Sequence, residues 1–266
     1  MLVALVAVVT VIGVAVTWSP LDTERQDEPV GIGIGTHAQL VAWLSRNTTR
    51  GAEVAASADI QPALRRSLPT RVVTVYGRAE QDPAALLVVT PRDSRPVVGA
   101  VPLASFAGGA VEVRQVVAGT TWRQLREQLG GTGRRLVADT RLRLTPRAWS
   151  VLVAGAVDPR VIGLLSRLVN RHTIDVSAFP REEVERAASA PARAVAITAL
   201  DGVLVRAGAS QRMRTTLLGR GLPFAPDTVR VVDGPRSPHL RLGFLLPVPE
   251  GLVPHRQSPL DQGGLP

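Results

Sequence analysis

The residues best suited to proton transfer or metal ligation are four histidines, His37, His172, His239 and His255, and no two of them stand at a metal-ligand spacing. The chain has no cysteine. A catalytic zinc takes three protein ligands, so these spacings offer no metal centre. Glu182, Glu183 and Glu185 form an acidic cluster at the expected start of a helix. Carboxylates there oppose the positive end of the helix dipole. Asp158 followed by Pro159 reads as a helix N-cap with proline in the first helical position. Gly31, Gly33 and Gly35 imitate a dinucleotide fingerprint, but position 36, where that pattern wants glycine, is Thr36, and no strand precedes the run. The run reads as a hinge. No Gly-x-Ser-x-Gly elbow and no phosphate-binding loop occurs. The sequence therefore names no catalytic, cofactor-binding or metal-ligating residue.

Charge is the second source of chemistry. There are 31 basic residues against 22 acidic ones, a net charge of +9, and every basic residue is arginine. Nucleic-acid binding is the sharpest reading of such a balance, yet aromatic residues make up 3% and no nucleic-acid motif is found. No nucleic-acid partner is expected. A positive face towards anionic lipid or an acidic wall polymer fits the same charge.

The elements that would carry these residues begin with a membrane segment. Residues 2–18 run from Leu2 to Trp18 without a charge. As a helix they span about 26 Å at 1.5 Å per residue, just short of a hydrocarbon core of about 30 Å. No basic residue precedes them and no small-residue cleavage site follows, so they read as a retained signal-anchor rather than a cleaved leader. The bilayer is thus the expected partner of residues 2–18. A linker follows over 19–35.

The head alternates strands and helices, which predicts an α/β class of one or two small three-layer units, 36–118 and 119–253, before a disordered tail over 254–266. In the first unit Thr36 caps a helix through Leu40, Trp43 and Leu44. Strands are expected at Glu53–Ala56, Arg71–Tyr76, Ala84–Thr90 and within Val97–Val117. Asp59 caps a second helix. In the second unit a helix from Thr121 ends at Gly130-Gly131, and further helices open at Thr145-Pro146, Asp158-Pro159 and Ser210. Strands follow at Thr173–Phe179, Ala194–Thr198, Val229–Val232 and Leu240–Leu246, with a turn at Asp201-Gly202.

Two resemblances attach to these residues. Trp43-Leu44, Arg50-Gly51, Val54, Asp59 and the strand Leu86–Thr90 are similar to the short extracytoplasmic domain found in actinobacterial membrane glycosyltransferase-like proteins. That likeness implies a head outside the cytoplasm. Its first strand tends to end in Asp, where Ser57 stands here. Over 135–205, the runs Leu142–Ala148, Gly155–Arg160 and Arg171–Val176 resemble a segment of secreted D-alanyl-D-alanine carboxypeptidase-like proteins. In the matching strand Ala192–Ile197, Ala196 stands where that family places a metal-binding Asp. No His lies between His172 and Ala196. The resemblance implies either a related fold without its metal or only a shared helix–strand frame.

Three classes of function follow. The leading expectation is a single-pass membrane protein of the cell envelope, its head extracytoplasmic, binding or scaffolding without catalysis. The alternatives are an envelope hydrolase or glycosyltransferase accessory with a dispersed site, and a cytoplasmic-facing regulatory or polyanion-binding head.

Overall fold

The computed structural model describes residues 32–76, 87–91, 100–116, 121–206, 225–234, 238–246 and 248. The anchor over 2–18, most of the linker, the expected helix at Ser210 and the tail over 254–266 lie outside the described residues. Among the described residues no helix is long and apolar enough to cross a membrane.

The first half of the head forms α1 (Ile34–Asn47), β1 (Glu53–Ala56), α2 (Gln61–Ser67), β2 (Val72–Val75), β3 (Leu87–Pro91), β4 (Ala100–Phe106) and β5 (Val111–Val116). Its five strands make one sheet in the order β2-β1-β3-β5-β4. β1 runs parallel to β2 and β3, while β5 is antiparallel to both β3 and β4. The β4–β5 connection turns at Gly108-Gly109, both at positive φ, where a side chain would strain the backbone.

The second half adds α3 (Trp122–Leu136), β6 (Leu142–Leu144), α4 (Pro146–Val153), α5 (Pro159–Val169), β7 (Ile174–Ala178), α6 (Glu183–Ala187), β8 (Ala194–Leu200), β9 (Val203–Leu204), β10 (Thr228–Val232) and β11 (His239–Gly243). Its sheet runs β10-β11-β8-β7-β6, with β9 paired to β8 beyond the Asp201-Gly202 turn. The chain is therefore mixed α/β with two sheets. Leu40, Trp43, Phe106, Leu152, Leu165, Ile197 and Leu240 belong to one continuous apolar cluster that draws on both. Burying such side chains contributes about 1.5–3 kcal/mol each before chain entropy is counted.

Several local expectations are corrected. Thr36 is not a cap: α1 starts at Ile34 behind Gly33, two residues inside the expected linker. Asp59 is not a cap either, because α2 starts at Gln61 after Ile60, with Pro62 in its first turn. α3 does not stop at Gly130-Gly131 but continues to Leu136. The reason is packing against α4. A β-carbon on Gly130 would lie 2.8 Å from the Val153 carbonyl oxygen, and one on Gly133 would lie 2.4 Å from that of Leu152. These glycines allow two helices to touch backbone to backbone, which outweighs their helix cost of about 1 kcal/mol each. The strand β6 was not anticipated; its three residues pair in parallel with β7.

Other signals hold. Thr121 caps α3 in a reciprocal box with Gln124, and Thr145 and Asp158 cap α4 and α5 through their side chains. After β11 the chain crosses back to the first half. The Leu246 amide donates to the Asn47 carbonyl at 2.7 Å. The Gln115 side chain exchanges two hydrogen bonds with the Val248 backbone, each 3.1 Å.

Candidate functional site

In the second sheet β10 and β11 alternate apolar and polar residues while β8 alternates large and small ones, so each turns one set towards the core and one away from it. Leu240, Leu242, Val195 and Ile197 belong to the core, and Val229 and Val231 pack against it. The opposite face carries Thr228, Arg230 and Val232 on β10, His239, Arg241 and Gly243 on β11, and Ala194, Ala196 and Thr198 on β8. Register places Arg241 between Arg230 and Ala196, and Gly243 between Thr228 and Ala194. Small residues thus make a floor, and arginines rise from one side of it.

Two adjoining cavities sit on this face and share Pro180 in their walls. One, about 440 Å³, is lined by Arg46, Glu182, Arg193, Arg230, Arg241 and Gly243 among others. The other, about 640 Å³, is bounded by Arg147, Phe179, Arg181, Arg186, Ala196 and His239. Together they form a trough edged by guanidinium groups.

The carboxylates in the trough are already engaged. Arg193 and Glu185 are both buried and form an ion pair. The same guanidinium donates to Asn47 Oδ1 at 3.1 Å and to the Phe244 carbonyl at 3.0 Å, and lies 5.6 Å from the centre of the Trp43 ring. The second oxygen of Glu185 accepts from the Glu182 amide at 2.9 Å. Glu182 in turn accepts from Arg46 at 3.2 Å and from Asn47 at 3.4 Å. This network joins α1, α6, the residue just before β8 and the segment after β11. Two acids of the Glu182–Glu185 cluster therefore cap α6 and neutralise arginines, and neither is left as a free acid or base.

The remaining arginines of the trough differ. Among the described residues, Arg147, Arg181, Arg186, Arg230 and Arg241 form no ion pair. Arg181 donates to the Ala190 carbonyl at 3.0 Å. Burial pushes its pKa below the usual guanidinium value, opposed by Glu185 and reinforced by Arg186, Arg147 and Arg126. Arg230 and Arg241 are exposed and stand directly opposite each other. Such a like-charge pair is unfavourable until an anion joins it.

The residues singled out in the sequence scatter. His37 bonds Ser67 at 3.1 Å on the first half of the head. His172 meets Asp201 at 2.7 Å, and Asp201 also accepts from the Thr173 amide at 2.8 Å, which pins the β8–β9 turn. Only His239 lines the trough, and His255 lies outside the described residues. Asp158 is buried, capping α5 and pairing with Arg160 at 3.0 Å. Ala196, where the carboxypeptidase likeness expects an Asp, is a floor residue opposite Arg241. Among the described residues no group of three or more His, Asp or Glu side chains could hold a metal.

Sequence reasoning missed the Arg230–Arg241 pairing and the convergence on Arg193. The alternation in Thr228–Val232 and His239–Gly243 carried the signal for the first, since it assigns each arginine to a strand's outer face. Their juxtaposition needed the register, and Arg193 needed the tertiary fold. Compared with family models, curated proteins and solved structures, the chain matches none.

Proposed function

We propose that this chain is a membrane-tethered, extracytoplasmic binding protein of the cell envelope. In this reading the anchor over residues 2–18 displays a non-catalytic head, and the arginine-edged trough on its second sheet takes an anionic ligand. Tethering raises the local concentration of the trough near other envelope components without any further contact.

One observation carries the reading. Every carboxylate lining the trough is spent on an ion pair or a helix cap, while Arg147, Arg186, Arg230 and Arg241 face it without a carboxylate partner. A hydrolytic site would keep a free acid or base in place of that arrangement. A cavity ringed by one sign of charge attracts the opposite sign.

Two measurements test the proposal. A C-terminal fusion to a reporter active only outside the cytoplasm is expected to be active; activity only of a cytoplasmic reporter overturns the location. The purified full-length chain, in nonionic detergent, is titrated with fluorescent polygalacturonate and with a neutral dextran of equal length. Salt-sensitive binding of the polyanion alone is expected. Equal binding of both polymers, or of neither, overturns the anion reading.

A further inference from the structure

We propose that Arg230 and Arg241, with Arg46 across the cavity and Thr228 beside them, form a binding site for a single phosphate group. The inference rests on the anion-binding reading of the trough and narrows it to one ligand class and one end.

Backbone register comes first. Arg230 and Arg241 are directly opposed on adjacent antiparallel strands, so their Cα atoms lie about 4.5–5.5 Å apart and their side chains leave the same face. Neither has a hydrogen-bond or ion-pair partner among the described residues. Both are exposed, and both line the cavity of about 440 Å³. One residue pair along the same face, Thr228 stands opposite Gly243. A β-carbon at position 243 would come within 2.7 Å of the Thr228 hydroxyl oxygen. Glycine there keeps the floor open beside a hydroxyl that can donate.

Charge then selects the ligand. The lining includes four guanidiniums, Arg46, Arg193, Arg230 and Arg241, against two carboxylates, Glu182 and Glu185. Both carboxylates are committed, Glu185 to Arg193 and Glu182 to Arg46. Arg46 is more than half exposed and holds Glu182 by one 3.2 Å contact, so an incoming anion competes with Glu182 for it. A carboxylate offers two oxygens in one plane, which saturate a single guanidinium fork. Two parallel forks need an acceptor with oxygens in more than one plane. A phosphate monoester or diester supplies that geometry, and arginine is the side chain suited to it. Such a group can come from a soluble phosphate ester or from a lipid headgroup.

The test uses the full-length chain in nonionic detergent micelles. Inorganic phosphate, glycerol 3-phosphate and acetate are titrated separately by calorimetry. Phosphate and glycerol phosphate are expected to bind and acetate to bind at least tenfold more weakly. The double replacement Arg230→Gln with Arg241→Gln is expected to weaken phosphate binding at least tenfold. Arg186→Gln, in the neighbouring cavity, is expected to change it less than twofold. The replaced side chains are exposed, and an unchanged ligand-free melting temperature verifies the fold. Phosphatidylglycerol added to the micelles separates the sources: competition with soluble phosphate assigns the site to a headgroup, and its absence to a soluble ester. Phosphate binding that is equal in the double variant, or no stronger than acetate, overturns the inference. Continued polygalacturonate binding in that case leaves the broader anion reading standing, whereas loss of all binding removes both.

Discussion

The two sheets treat charge on their outer faces in opposite ways. In the first, Ala55 and Val88 are fully buried on the face turned away from the main core. The arginine that shares their face, Arg114, donates to Glu112 two residues along the same strand. Its charge is answered inside one β-strand. In the second sheet the equivalent face is floored by Ala196 and Gly243 and edged by Arg230 and Arg241, which face each other with no acid between them. An arginine answered within its own element is part of the architecture. A pair left unanswered at the lip of a cavity is the feature on which the proposed anion site rests.

This contrast can be broken most severely at the network that ties the trough to α1. Glu185→Ala leaves the buried Arg193 guanidinium without its carboxylate, and unfolding in urea is expected to show a loss of about 3–5 kcal/mol. Adding Arg193→Met is expected to recover much of it, since an apolar pair avoids the desolvation penalty. A loss no larger than for a surface pair would mean that this charge is not truly buried.

A smaller effect is expected in the first sheet. Glu112→Gln unpairs Arg114, but both groups are about a quarter exposed and solvent screens them, so about 0.5–1 kcal/mol is at stake. Phosphate should still raise the melting temperature of this variant as in the parent, because a lone Arg114 is not a paired clamp. In the second sheet Arg241→Glu turns a like-charge opposition into an opposite-charge pair. Stability is expected to rise by about 0.2–1 kcal/mol while phosphate stabilisation disappears. A fall in stability would show that Arg230 and Arg241 do not oppose each other.

The smallest expected change lies away from the trough. Hydrogen bonds from His172 and from the Thr173 amide hold the Asp201 carboxyl below the usual carboxylate range. Its contribution to stability is therefore full above the ordinary Asp pKa of about 3.9 and is lost as pH falls through the depressed value. Asp201→Asn keeps a residue tolerant of the positive φ at this turn. Melting curves of parent and variant are expected to differ at neutral pH and converge under acid. A gap that widens on acidification would contradict this sign.

The fold was legible where short-range rules act alone. β-branched runs marked β2 and β10, and the Thr145-Pro146 and Asp158-Pro159 pairs marked the starts of α4 and α5. It was misread where a distant partner decides. Gly130-Gly131 reads as a breaker in isolation, and only the α4 backbone pressed against Gly130 and Gly133 explains why the helix continues. The acidic cluster was correctly placed at a helix start, but its partners Arg46, Asn47 and Arg193 come from other elements. The candidate site was least legible of all, because it depends on which arginine faces which. Strand alternation assigns a face, and register alone assigns the neighbour.

The crossing segment after β11 has a consequence for how the chain is made. Gln115, within β5 of the first sheet, satisfies its buried amide on the backbone of Val248, 133 residues further on. The end of α1 likewise waits for Leu246. Such distant contacts form only after a large loop-closure entropy has been met, and they slow folding. During synthesis the first sheet therefore leaves the ribosome with the Gln115 side chain and the end of α1 still unpartnered, and these contacts are finished only when residue 248 has emerged. Until then the nascent head is exposed to mispairing and to proteases, so its yield depends on the rate at which translation covers that interval.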